Sequence, residues 1–457
     1  MGKQKTIAAI STGLAPGGIG IVRISGSDAR AVADRVFRGI SGRKIAEMKG
    51  YTAQLGGVFS REGEKLDDAV ALVFAAPKSY TGEDVVELSC HGGLYVTKRL
   101  LREVLRAGAS PAEPGEFTRR AFLNGKMDLT QAEAVMGLIG AQGEQSARTA
   151  EAGSSGLLSK KINGVRDELT ALAAHLAAWA DFPEEDVPVL EQTELARSLE
   201  HMEEMLAALL ATFDTGKIFR EGVDTVIAGR PNTGKSTLMN LLTGQERSIV
   251  TQYAGTTRDI VEDTVQLGGI PLRLADTAGL RTTDDPVEKI GVSAAEKRLR
   301  TAQLVLAVFD ASETLSGEDL SWISTLDPAR TVAVVNKTDL PKLLDTSTLE
   351  KKLPHTVSIS ALTGEGLETL EKIVVDLLGA KEFRPGDGVL FTERQRDCVS
   401  QALSAVKEAK KALEDGMTLD AVTVCIEDAL LALYSLTGEK VSDEVVDRVF
   451  ETFCVGK

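Results

Sequence analysis

The sequence predicts a multidomain chain: an α+β N-terminal domain, an all-α helical domain, and an α/β phosphate-loop domain inserted into the helical one. Three observations carry this. Apolar runs of strand length alternate with helical stretches over 221–380, the pattern of a parallel sheet covered on both faces. Helix-spaced apolar residues flank that region at 128–218 and again at 391–457, and a domain inserts readily because its ends tend to lie close together. Residues 1–122 mix β-branched runs with helical stretches. The chain has 457 residues, enough for two to four domains of about 100–200 residues each.

In chain order, apolar β-branched runs predict strands at 19–25 and 69–76, with Gly17-Gly18, Gly56-Gly57 and Gly92-Gly93 as turn markers. Helices are expected at 28–37 and 95–107. Leu195, Leu199, Met202, Leu206, Leu209 and Phe213 recur in steps of three and four, which puts them along one helix face. Leu169, Leu172, Leu176 and Trp179 follow the same rule, and the Pro-containing segment 181–188 separates the two helices. Further strands are expected at 225–229, 272–276, 304–310, 331–336 and 356–360, then helices at 367–378, 392–413, 418–436 and 443–453. The resulting division is 1–122, 123–218, 219–380 and 381–457.

Composition narrows the function. Hydrophobic residues are 43% and charged residues 26%, as in a folded globular protein. Aromatics are only 4%, so the cores must rest on Leu, Val, Ile and Ala. Lys and Arg number 52 against 67 Asp and Glu, a formal net charge of −15. Such a chain is not a general polyanion binder, and contact with nucleic acid requires a local basic patch or a partner's basic surface. No basic module stands out in the sequence. Cys90, Cys398, Cys425 and Cys454 form no CxxC pair, which argues against a disulfide scaffold and for a reducing, cytoplasmic setting. The four histidines show no zinc spacing. No secretory apolar core and no 18-residue apolar run occur, so no membrane association is expected.

The strongest chemical signal is Gly229-Arg-Pro-Asn-Thr-Gly234-Lys235-Ser236, which fits GxxxxGK[ST] between a strand and a helix. Close backbone approach lets main-chain N–H groups cradle phosphate oxygens. Lys235 supplies charge for the β- and γ-phosphates, and Ser236 a Mg²⁺ ligand. Thr237 opens the helix that follows. Asp276-Thr277-Ala278-Gly279 lies at a strand end, where Asp276 can hold Mg²⁺ through water and the Gly279 N–H can sense the γ-phosphate. Asn336-Lys337-Thr338-Asp339 follows another strand. The Asp339 carboxylate can accept from guanine N1–H and the 2-amino group, which adenine does not offer. Ser360-Ala361-Leu362 ends the next strand, where backbone N–H groups can meet guanine O6. Gly255-Thr256-Thr257-Arg258-Asp259 supplies a threonine that can close on Mg²⁺. Five such elements in order predict a GTP-binding domain. Many GTPases place a water-orienting glutamine after DxxG. Here that position is Leu280, so the polar group must come from elsewhere: Asp284, Asp285 and Glu288 are candidates. The neutralising charge has two candidates: Arg258, or a cation held by oxygens of Asn232 and the loop 251–256.

The chain resembles the MnmE (TrmE) family of tRNA-modification GTPases along its whole length. The marks are GRPNTGKS, AGTTRD, DTAGLR, the segments 77–93 and 114–134, and the terminal Phe-Cys-Val-Gly-Lys at 453–457. The family usually ends Cys-Ile-Gly-Lys, one methylene more. The resemblance implies a tetrahydrofolate-binding N-terminal domain that forms a homodimer. It also implies a heterotetramer with an FAD-dependent MnmG-type partner, FAD residing only there. The implied product is an aminomethyl or carboxymethylaminomethyl group at carbon 5 of the tRNA wobble uridine, from a 5-formyl or 5,10-methylene folate. By motif it places K⁺ on Asn232, Thr251, the Tyr253 carbonyl and Thr256, and Mg²⁺ on Ser236 and Thr257. Glu288 would position the hydrolytic water. Thr233, Gly234, Lys235, Thr237, Gln252, Ala254 and Gly255 would line the nucleotide with the motifs above. Arg23, Glu87, Lys126 and Lys457 would bind folate. Cys454 is expected to be an ordered tail residue. The alternative reading is a GTP-dependent switch in ribosome assembly.

Overall fold

The computed structural model describes residues 5–181, 191–245, 263–275, 298–381 and 387–456. The chain forms two compact units, 1–136 with 430–457, and 137–429.

The first unit is built on seven strands: β1 (Ile7–Ile10), β2 (Ile19–Ser25), β3 (Phe37–Gly39), β4 (Thr52–Phe59), β5 (Lys65–Phe74), β6 (Val85–His91) and β7 (Ser110–Pro111). Their order is β3-β4-β5-β6-β2-β1-β7. All neighbours are antiparallel except β1 and β7. Alternation along the strands divides the faces. Val22, Ile24, Val86 and Leu88 point inward and are fully buried with Leu100 and Val104 of the helix Leu94–Arg106. Each such side chain contributes about 1.5–3 kcal/mol on leaving water. The opposite face runs through the register Ile21–Ser89–Val70–Leu55 across four strands. It is open and carries exposed apolar side chains: Ile19 is 64% exposed, Leu55 54% and Val70 39%. Gly56-Gly57, read from sequence as a turn, lie inside β4. A β-carbon at Gly56 would sit 2.2 Å from the Arg38 carbonyl of the edge strand, so glycine here serves strand approach rather than chain reversal. Leu129, Phe450 and Phe453 form a second core that holds the helix Asp443–Glu451 within this unit.

In the second unit, strands β8 (Val223–Ala228), β9 (Asp263–Leu267), β10 (Ile270–Ala275), β11 (Leu304–Asp310), β12 (Thr331–Asn336) and β13 (Thr356–Ser358) form a sheet of order β13-β12-β11-β8-β10-β9. Five are parallel, and β9 is antiparallel to β10 through a tight hairpin. The expected all-parallel sheet is thus corrected at one edge. Both faces are covered. Leu304, Leu306 and Val308 join one core with Leu238, Leu370 and Val374. Val305, Ala307 and Phe309 join the other with Ile323 and Leu349.

The helices Leu157–Asp181, Gln192–Leu210 and Glu393–Glu414 belong to the same unit. The predicted stripe Leu195, Leu199, Met202, Leu206 and Leu209 is buried, and Phe213 opens the next helix, Phe213–Glu221. Trp179 departs from its expected buried face, at 37% exposure, because it lies in the last turn of its helix. The Thr212 hydroxyl accepts from the Leu390 amide at 3.1 Å, and Arg220 donates to the Phe391 carbonyl at 3.0 Å. The segments leading into and out of the six-stranded sheet therefore lie side by side, as an inserted domain requires.

Candidate nucleotide-binding site

Strand β8 ends in the loop 229–234, and the helix Lys235–Gln245 begins at once. The first turn of that helix carries backbone N–H groups with no partner inside the helix. Thr233 and Gly234 shape the approach. Gly234 has φ of +92°, and a β-carbon there would lie 2.2 Å from Asn336 Nδ2. Asn232 is also left-handed, at +66°, a conformation asparagine tolerates better than most residues. Thr233 Oγ1 donates to the Arg230 carbonyl at 3.0 Å. Lys235 Nζ lies over the loop and donates to the Gly229 and Arg230 carbonyls at 2.9 and 2.7 Å. Burial pushes its pKa below the ordinary lysine value. Ser236 and Thr237 are exposed in the first helical turn.

The base-recognition motifs join the loop through one side chain. Asn336 is 2% exposed at the end of β12. Its Nδ2 donates to the Thr233 carbonyl at 2.9 Å, and its Oδ1 accepts from the Ala361 amide at 2.9 Å. Three sequence motifs therefore meet at Asn336. The Ala361 N–H, expected to meet a purine carbonyl, donates here to Asn336. The Ser360 hydroxyl donates to Asp339 Oδ1 at 2.6 Å, which orients the exposed carboxylate. The Thr338 amide donates to Ile359 across the strand ends at 3.2 Å. Leu362 projects, 76% exposed.

Two supports were not legible in the sequence. Lys337, with φ of +66°, places Nζ 2.5 Å from Asp310 Oδ2 at the end of β11. Burial alone would raise the Asp310 pKa; hydrogen bonds from Lys337 and Ser312 outweigh it and hold the carboxyl below the ordinary value. Arg230 reaches the buried Asp319 at 3.1 Å. Asp319 also completes a capping box with Ser316 at the start of the helix Gly317–Ile323. These partners are far apart in sequence, and only the sheet order brings them together. Thr251, Gln252, Tyr253, Ala254, Gly255, Thr256, Thr257, Asp276, Thr277, Ala278, Gly279 and Glu288 lie outside the described residues.

In the first unit, Arg23 and Glu87 face each other across β2 and β6, with Nε 2.8 Å from Oε1. They form an ion pair, partly exposed on both sides. Arg23 Nη1 also donates to the Gly456 carbonyl at 3.3 Å, and the Ser11 hydroxyl donates to the same oxygen at 3.1 Å. The guanidinium lies 5.8 Å from the Tyr80 ring centre and 5.6 Å from that of Phe117. The tail is tied down by the bridge between Pro114 and Val455 and by the Gly115 amide donating to the Cys454 carbonyl at 3.3 Å. Lys126 is exposed, and its Nζ donates to the Pro77 carbonyl at 3.2 Å. It therefore meets the loop that carries Tyr80 and not the ion pair itself. Lys457 lies outside the described residues.

Residues 129–454 match the model of the MnmE helical domain, and residues 6–126 that of the GTP-binding protein TrmE N-terminus. The tRNA modification GTPase MnmE of Symbiobacterium thermophilum is 46% identical, over 99% of this chain and 100% of that protein. Its counterpart in Lactococcus lactis subsp. cremoris strain MG1363 is 42% identical, over 99% and 98% of the two chains. That of Thermoanaerobacter sp. strain X514 is 41% identical over 99% of both. Two family models that together span nearly the whole chain, and relatives matched end to end, lead to one conclusion: the chain belongs to the MnmE family of tRNA modification GTPases.

Proposed function

We propose that this chain hydrolyses GTP and couples the hydrolysis to modification of the tRNA wobble uridine at carbon 5, yielding aminomethyl-type derivatives. The observation that carries the nucleotide reading is the junction at Asn336, which fixes the phosphate loop to both base-recognition motifs. Lys235 withdraws from two loop carbonyls to meet phosphate, and Asp339, oriented by Ser360, selects guanine by accepting two hydrogen bonds. Ser236 and Thr257 hold Mg²⁺. Asn232, Thr251, the Tyr253 carbonyl and Thr256 hold K⁺, which supplies positive charge where an arginine finger would act. The fit is favourable at the one described ligand, since the left-handed Asn232 sits on the phosphate loop itself. Glu288 orients the attacking water.

The division at 122/123, 218/219 and 380/381 belongs to the same proposal. Residues 1–122 bind a one-carbon tetrahydrofolate through Arg23, Glu87, Lys126 and Lys457. The site suits it: Arg23 keeps spare N–H donors for a carboxylate, Glu87 an oxygen for an amide, and Tyr80 and Phe117 supply ring faces. The open face bearing Ile19, Leu55 and Val70 supports a homodimer through these domains. An MnmG-type FAD protein joins it as a heterotetramer, with tRNA as substrate, in the cytoplasm. Among the described residues no helix is long and apolar enough to cross a membrane.

The test is turnover by the purified chain. GTP is hydrolysed and ATP is not, faster in KCl than in NaCl at equal ionic strength, and Glu288→Ala loses turnover while binding nucleotide. Equal rates in the two salts would remove K⁺ from the scheme, and full turnover in Glu288→Ala would remove that residue.

A further inference from the structure

The chain carries a net charge of −15, yet one surface of the first unit is basic. On the helix Leu94–Arg106, Tyr95, Lys98, Arg102 and Arg106 recur at steps of three and four and are exposed, Tyr95 by 73%. They form a stripe about 16 Å long. The only acid on this helix, Glu103, is buried and spends its oxygens on Arg106 at 2.9 Å and the Arg61 amide at 3.1 Å. Arg99 pairs with Glu64 of the β4–β5 hairpin at 2.5 Å. Arg35, on the neighbouring helix Ala29–Val36, donates to the Ala107 carbonyl. Five basic side chains, Arg35, Lys98, Arg99, Arg102 and Arg106, thus gather against Glu62, Glu64 and the buried Glu103. Among the described residues no carboxylate pairs with Lys98 or Arg102.

A solvated helix face ordinarily mixes signs, with acids four residues before bases. This stripe does not, although the chain as a whole has more acids than bases. We infer that the exposed face of Leu94–Arg106 is an RNA-docking surface that contacts the tRNA phosphate backbone, with Tyr95 offering a ring to a base or ribose. The inference rests on the reading of tRNA as substrate. Phosphates fit because they need closely spaced, unpaired cations and no particular sequence. A membrane surface fits less well, since Leu100 and Val104 are fully buried and Val96, Leu101 and Leu105 pack partly buried against the same core, which leaves little to insert.

The experiment compares the full-length chain with Lys98→Ala/Arg102→Ala, and with Lys407→Ala/Lys411→Ala as a control of equal charge and spacing on the helix Glu393–Glu414. The probe is an unmodified tRNA transcript with uridine at the wobble position, titrated at several KCl concentrations. Removing two phosphate contacts lowers the slope of log affinity against log salt by about 1–2 and weakens binding about tenfold. The control pair and GTP turnover stay unchanged. Wild-type affinity and slope in the Lys98/Arg102 variant would overturn the inference and leave tRNA as partner. Equal weakening in the control would reduce the effect to net charge and overturn it too. No binding by the wild-type chain would overturn both this inference and the tRNA reading. Binding to anionic phospholipid vesicles in place of tRNA, lost in the variant, would move the surface to a membrane.

Discussion

Asn336 grips Thr233: the Nδ2 group at the end of β12 donates to the phosphate-loop carbonyl at 2.9 Å, from a side chain that is 2% exposed. The same amide accepts from Ala361. Asn336→Ala would leave a buried carbonyl and a buried N–H without partners, at about 1–3 kcal/mol each. GTP affinity then falls at least tenfold while the cores on either side of the sheet persist. Isothermal titration with GDP and GTP checks this; unchanged affinity would mean the loop holds its shape without Asn336.

Asp339 is proposed to set the base. Its carboxylate has two acceptors, one already oriented by Ser360 at 2.6 Å. Asparagine would present one acceptor and one donor, which matches the N1–H and the C2 carbonyl of xanthine and not the two donors of guanine. Asp339→Asn therefore loses GTP affinity by about 10²-fold or more and gains xanthosine triphosphate. Competition between the two nucleotides measures the switch, and an unaltered preference would place the guanine contacts elsewhere.

Arg120 anchors the helix Glu116–Leu123 to the first sheet. Its guanidinium, 5% exposed, meets Glu83 at 3.1 Å, Glu116 at 2.7 Å and the Lys5 carbonyl at 2.9 Å. Glu83 in turn accepts from the Ser25 hydroxyl at 2.7 Å. Removing the cation leaves two partly buried carboxylates without their partner. Arg120→Ala is expected to cost about 3 kcal/mol, the low end for a broken buried pair. Hydrogen exchange at β1 and β2 amides reports it locally, faster than in wild type; protection equal to wild type would contradict the assignment.

His91 and Asp67 make a pH-dependent tie at the end of β6. The imidazole Nδ1 lies 2.7 Å from Oδ1, and the His91 amide donates to Oδ2 at 2.8 Å. The hydrogen bond and the charge of Asp67 raise the His91 pKa above 6.5. Burial alone would raise that of Asp67, but the bonds to His91 outweigh it and hold it below 3.8. The folded state thus binds the histidine proton more tightly than the unfolded one. Its contribution is full below about pH 6.5 and fades as pH rises through the folded-state value. Protonation of Asp67 removes it again in acid, as pH falls through that group's lowered value. An NMR titration should find His91 above the ordinary histidine value, and Asp67→Asn should lower it; a value unmoved by that substitution would show the pair is broken in solution.

The legible parts of this fold are those whose burial pattern is simplest. Strands β11 and β12 are buried at every position, so each reads as an unbroken apolar run, and 304–310 and 331–336 coincide with the predictions. Strand β4 escaped notice because one face is open and two glycines interrupt it. Strand β9 escaped because a five-residue edge strand carries only a short polar alternation. The loop 229–236 was legible because its chemistry is contiguous in sequence. Asp310 under Lys337, Asp319 beside Arg230 and the pairing of Arg23 with Glu87 were not, because each depends on strand order. The basic stripe on Leu94–Arg106 was hidden by a net charge of the opposite sign.

GTP hydrolysis at this site is proposed to serve wobble-uridine modification. Its most direct test is mass spectrometry of tRNA nucleosides from a strain lacking the gene, complemented with wild type, Lys235→Ala or Glu288→Ala. Carbon-5 aminomethyl-type uridines should disappear on deletion and return with the wild-type gene alone. A nucleoside profile unchanged by deletion would contradict it.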